Sequence, residues 1–203
     1  MKVEVLSHKG PEMRFSVDGV KPSFASALRR IMISEIPTMA IEFVDFKRND
    51  SALPDEVIAN RLGMIPLTFD TKAYEMPPAD GKRTSRHEVK MVLKKKGPGV
   101  VYSGDMKTTD KSVKPVYDKI PITELFEGQD IQLEATAQLG TGRDHAKWQG
   151  AVVGYKLEEG KKDSFVFNVE SICGIEVGDL VARSAELLDE KFEEFSKDLK
   201  KLK

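Results

Sequence analysis

Few residues in this chain have the types and spacing that chemistry needs. The clearest candidate is "LGTGRDH", Leu139 to His145, where two glycines precede an arginine and a histidine. Glycine-rich loops cradle phosphate when their amides open a helix and a lysine and a hydroxyl follow. This one lacks both residues and follows an alternating strand, so it reads as a turn. His8, His87 and His145 are scattered, and none stands in metal-ligand spacing with another histidine or an acid pair. Cys173, the only cysteine, has no basic neighbour in "ESICGIE" and reads as a small apolar core residue, not a nucleophile. No Ser/His/Asp order comes with an elbow motif. A catalytic site of the chain's own is not expected, nor a metal.

What remains is charge set among apolar residues. Arg29 and Arg30 are adjacent in "PSFASALRRIMISEIPTMAIEFVDF", a segment otherwise built for burial. Neighbouring helix positions lie about 100° apart, so at least one guanidinium reaches solvent while Leu28 and Ile31 stay buried. Trp148, in "HAKWQG", suits either an interface or a core.

The elements that must position these residues are legible in part. Val3 and Val5 alternate with Lys2 and Glu4, and Met13, Phe15 and Val17 with Arg14 and Ser16, a hairpin-like opening around "SHKGPE". Ser23 offers an N-cap, and Phe24, Leu28, Ile31 and Met32 form a helical stripe that ends at Pro37. "TMAIEFVDF" then reads as a strand. "SALPDEVIANRLG" predicts a short helix with Asp55 and Glu56 at its positive end and Gly63 as its stop. Ile131, Leu133, Ala135, Ala137 and Leu139 alternate along one face of a strand, and the middle of the chain is predominantly β. Phe165, Phe167 and Val169 mark another strand.

The strongest pattern comes last. Val181, Ala185, Leu188, Phe192, Phe195, Leu199 and Leu202 are spaced by alternating fours and threes, a heptad stripe sustained over about three heptads. Glu176 and Asp179 near its start and Lys197, Lys200, Lys201 and Lys203 near its end complement the helix dipole. Phe192 and Phe195 fall where a small domain has little core left to cover them, so the stripe predicts a helical partner.

Composition bounds the rest. The 203 residues suffice for one large domain or two small ones. Lysines and arginines number 32 against 33 acids, a net charge of -1, so no global field draws the molecule to nucleic acid or an anionic membrane. A freestanding nucleic-acid-binding module using "GKRTSRH" and "LKKKGPG" is the alternative function, and it lacks interleaved aromatics. A single cysteine, no signal-peptide core at the N-terminus and no membrane-length apolar run together predict a soluble cytoplasmic protein without membrane association.

Four blocks, "FASALRRIMISEIPTMAIEFV", "DEVIANRLGMIPL", "GTGRDHAKWQGAVVGY" and "FVFNVESICGIEVGDLVARSAELLDEKF", resemble in order the D-subunit family of archaeal DNA-directed RNA polymerase. That family includes the third-largest subunit of eukaryotic RNA polymerase II and the N-terminal domain of the bacterial alpha subunit. The blocks cover most of the chain; residues 70 to 120 are less distinctive.

The resemblance implies an α+β fold. A discontinuous dimerisation domain of a sheet and two packing helices, 1–45 and 155–203, would hold an inserted β-rich domain, 46–154. It further implies a noncatalytic scaffold in which Phe24, Leu28, Ile31, Met32, Leu188, Phe192, Phe195 and Leu199 face the smaller subunit L or the adjoining core. Arg29 and Arg30 would dock the second-largest subunit, Arg30 foremost, with small subunits N and P joining the assembly and DNA contacted only through the complex. Some archaeal members carry a ferredoxin-like insertion with iron-sulfur clusters after the "AKW" block. Here only "QGAVVGYKLEEGKKD" fills that interval and Cys173 stands alone, so no cluster and no other cofactor is expected.

Overall fold

The chain opens as strand, strand, helix, strand because its apolar period switches from two to about 3.6 at Pro22 and back at Thr38. The computed structural model of the protein describes residues 1–79 and 81–202, so Lys203 lies outside the described residues. In chain order the elements are β1 (Lys2–Lys9), β2 (Glu12–Asp18), α1 (Pro22–Ser34), β3 (Thr38–Asn49) and α2 (Asp55–Gly63). After them come β4 (Glu88–Lys96), β5 (Gly99–Tyr102), β6 (Lys107–Thr108), β7 (Pro121–Leu125) and β8 (Asp130–Gly140). The chain ends with β9 (Ala151–Leu157), β10 (Ser164–Ser171) and α3 (Val177–Lys201). This is the mixed α+β class that the sequence predicts.

Two compact units emerge. The first holds Met1–Ile36, Thr141–Arg143 and Gln149–Lys203; the second holds Pro37–Gly140 and Asp144–Trp148. The boundaries expected at 45/46 and 154/155 both move, and hydrogen-bonded ladders move them. β3 pairs with β8 from Thr38 to Asn49, so the whole strand belongs to the second unit. β9 pairs with β10 from Ala151 to Leu157, so all of it belongs to the first.

The first unit is an antiparallel sheet of order β1-β2-β10-β9 with α1 and α3 packed on one face. Phe15, Val17, Phe165, Phe167, Val169, Ala151 and Val153 line that face, and Phe15 stacks on Phe167, its register partner, at 5.0 Å between centroids. From the helices come Ala25, Leu28, Met32, Val177 and Leu180, and Ile36 joins them from just beyond α1. Burying each large side chain of this set contributes about 1.5–3 kcal/mol.

Local chemistry sets the helix ends. α1 begins one residue before the expected cap, at Pro22, with Lys21 as a cap that makes no side-chain bond. Proline suits the first helical position because its missing N–H would have no partner there. The cap of α3 is stronger: the Glu176 carboxylate accepts from the amides of Gly178 at 2.8 Å and Asp179 at 3.1 Å. It also pairs with His8 at 3.0 Å.

The second unit is built on a sheet of order β3-β8-β4-β6, a two-stranded β5-β7 ladder, and α2. Ile131, Leu133, Ala135, Ala137 and Leu139 are all buried in its core, as their alternation predicts, and α2 adds Ile58 and Leu62. Trp148, which suited a core or an interface, is buried, and its indole N–H donates to the carbonyl of Gln138 at 3.2 Å. Lys147 binds it in place: its ammonium pairs with Glu42, donates to the Ile41 carbonyl at 3.1 Å and lies 4.4 Å over the indole.

Candidate partner-docking surfaces

Two surfaces of the first unit carry residues that its own fold leaves unused. One is the far half of α3. Near its start, α3 buries Val177, Leu180 and Ser184, with Val181 and Leu187 packed against the same core. The seven-residue stripe read from sequence is therefore not the buried one. Ala185 is exposed and Leu188 only half-buried, and from Asp189 onward every residue of α3 is exposed. Phe192 is 62% exposed, Phe195 61% and Leu199 48%. Such a run of large apolar side chains on one helix face exposes area that would gain from a partner.

The same unit leaves a second apolar strip open on β1. Val3 and Val5 stand opposite Val17 and Phe15 in the register, so they share the helix-bearing face of the sheet. Val17 and Phe15 are buried, whereas Val3 is 57% exposed and Val5 58%. The alternation of Val3 and Val5 is plain in the sequence; that nothing in the unit covers them is a property of the fold.

On α1 the expected interface residues divide. Leu28 and Met32 belong to the unit's own core, and Ile31 is buried as well. None of these three presents a free surface. The stripe that makes α1 a helix is consumed in fixing it to the sheet. Phe24 is half-buried against that core.

The opposite side of α1 carries the arginine pair, with Arg29 half-buried and Arg30 exposed. Five other arginines of the chain are occupied. Arg48 pairs with Asp50, Arg83 with Glu88, Arg86 with Glu75 and Arg183 with Glu190, while Arg61 donates to the Ile122 carbonyl. Among the described residues, the guanidiniums of Arg14, Arg29, Arg30 and Arg143 have no hydrogen-bond or ion-pair partner.

The basic strip considered for nucleic acid is neutralised in part from within, at Arg83 and Arg86. Besides Arg83 and Arg86, Lys95 pairs with Asp105 at 2.6 Å. Burial pushes the Asp105 carboxyl up, but the Lys95 hydrogen bond, the Tyr102 amide and the ammonium charge outweigh it and hold the group below its ordinary value. Cys173 packs against the core of the first unit, and burial raises its thiol, as befits an unreactive residue.

A family model described as the RNA polymerase Rpb3/RpoA insert domain matches residues 41–154. The chain belongs to this RNA polymerase family. Relatives that bear the name DNA-directed RNA polymerase subunit Rpo3 extend the likeness beyond the matched domain. The protein from Pyrococcus furiosus is 47% identical over 77% of this chain and 59% of its own length. That from Thermococcus kodakarensis is 46% identical over the same shares. The Methanothermobacter thermautotrophicus protein is 44% identical over 73% of this chain and 58% of its own. This Rpb3/RpoA-family chain thus spans less than two thirds of the length of the curated relatives it matches.

Proposed function

We propose that the chain is a noncatalytic assembly subunit of DNA-directed RNA polymerase. Its first unit pairs with the smaller subunit L through the far half of α3. The arginine side of α1 then receives the second-largest subunit, and the small subunits N and P join the platform. DNA is met only through the complex, in the cytoplasm.

One observation carries the reading: Phe192, Phe195 and Leu199 project from a helix that has already left its own core. Burying two phenylalanines and a leucine in a helix–helix contact supplies several kcal/mol of driving force. The open strip at Val3 and Val5 is of the same character. The relatives' name supports the assignment to the polymerase, and the matched domain supports the family.

Co-expression with subunit L followed by light scattering tests it. The expected result is a heterodimer mass at micromolar concentration. A stable monomer that ignores subunit L would overturn the proposal.

A further inference from the structure

The last turn of α1 is closed by residues from far along the chain. The backbone N–H of Arg143 donates to the Ser34 carbonyl at 3.0 Å, and that of Gly150 to the Ile33 carbonyl at 3.3 Å. These are the carbonyls that a helix end leaves without intrahelical partners. The approach requires glycine at both places. A Cβ at Gly142 would stand 2.7 Å from the Ile33 oxygen, and one at Gly150 2.9 Å from the Met32 oxygen. The "GTGR" turn is thus a clasp on α1.

The clasp delivers a charge. The Ser34 hydroxyl donates back to the Arg30 carbonyl at 2.8 Å, one helical turn away, which is about 6 Å along the axis. Arg143 is exposed and its backbone is held at Ser34, so it stands at the end of the helix whose preceding turn carries Arg29 and Arg30. Three of the chain's unpartnered arginines thus lie on α1 or against its end. Glu35, the acid nearest Arg30 in sequence, is engaged by Lys191 at 2.5 Å, and Asp144, beside Arg143, is engaged as well.

A narrower explanation is that Arg143 offsets the negative end of the α1 dipole, since the last turn of α1 carries no basic residue. It covers one arginine of the three. Arg29 and Arg30 lie before the last turn, and the capping itself is done by the amide. Like charges brought together repel unless an acidic ligand answers them. Resting on the reading of α1 as a docking surface, we propose that Arg143 completes a three-arginine site that takes a carboxylate-bearing segment of the docked protein. Guanidiniums grip carboxylates bidentately, and three of them, two on a short helix and one on the loop at its end, are too few to follow a nucleic-acid backbone.

The test uses the full chain with subunit L, titrated with the second-largest polymerase subunit and, separately, with a fluorescein-labelled DNA duplex. Arg143→Ala should weaken capture of the large subunit about tenfold, with a shallower salt dependence and an unchanged melting temperature. Arg143→Lys should recover only part of the loss, because a point charge replaces a fork. Normal capture by Arg143→Ala beside a lowered melting temperature would leave the dipole role alone and overturn the proposal. Duplex binding that Arg143→Ala abolishes, with large-subunit capture intact, would also overturn it. If the unsubstituted complex captures no large subunit, the docking reading itself fails, a result distinct from either.

Discussion

The N–H of Arg143 and the carbonyl of Ser34, 3.0 Å apart, join a loop late in the chain to the end of the first helix. Gly142 lies against that helix so closely that a Cβ would also come within 2.9 Å of the Ser34 Cα. Backbone cannot swing aside as a side-chain tip can. Gly142→Ala should therefore cost about 1–3 kcal/mol of stability, read as a lower denaturant midpoint with an unchanged slope. Stability equal to that of the parent would mean the clasp is looser than described.

The two stripes of α3 should separate cleanly by mutation. Leu180 is fully buried in the unit's core, so Leu180→Ala should destabilise the isolated chain by about 2–5 kcal/mol. Phe192→Ala and Phe195→Ala should leave the isolated chain's stability within about 0.5 kcal/mol while weakening the heterodimer by about 2–4 kcal/mol each. Thermal melts and dimer affinity, measured on the same variants, check both halves. Unchanged affinity in both phenylalanine variants would remove α3 from the interface.

Glu176 holds two amides at the start of α3 and meets His8 from β1. Glu176→Ala should cost about 0.5–2 kcal/mol, and Glu176→Asn, which keeps an acceptor, less. Faster amide exchange confined to the first turn of α3 is the expected signature. Uniform exchange across the unit would point instead to a global effect.

In the second unit, the Tyr74 hydroxyl donates to Asp110 at 2.6 Å. That bond, followed by those from the amide and hydroxyl of Ser112, holds the Asp110 carboxyl below its ordinary value. Burial first, and then Asp110, raises the Tyr74 phenol, which stays a donor at neutral pH. A carboxyl depressed in the folded state stabilises it above the unfolded pKa, and that contribution fades as pH falls through the folded pKa. Tyr74→Phe should therefore cost about 1–2 kcal/mol at pH 7 and progressively less in acid. Urea midpoints at pH 7 and pH 3 measure the difference; a gap that does not narrow in acid would assign the loss to packing.

What the sequence determined was local. Strand alternation in β8 and β10, the stripe of α1 and the charges at the ends of α3 are relations between residues within a few positions, and propensity and burial agree on them. The family likeness followed from blocks of the same kind. The tertiary structure decided which apolar stripe of α3 meets the sheet. A heptad pattern states that a face is apolar, while the burial of Val177, Leu180 and Ser184 is set by how α3 packs on α1, β2 and β10. It also decided that Leu28 and Met32 serve the chain's own core and that β3 goes with β8. Gly142 shows the limit most plainly. A glycine needed for a close approach, and not for an unusual backbone angle, looks in sequence like any turn glycine, because the helix it touches lies far away along the chain.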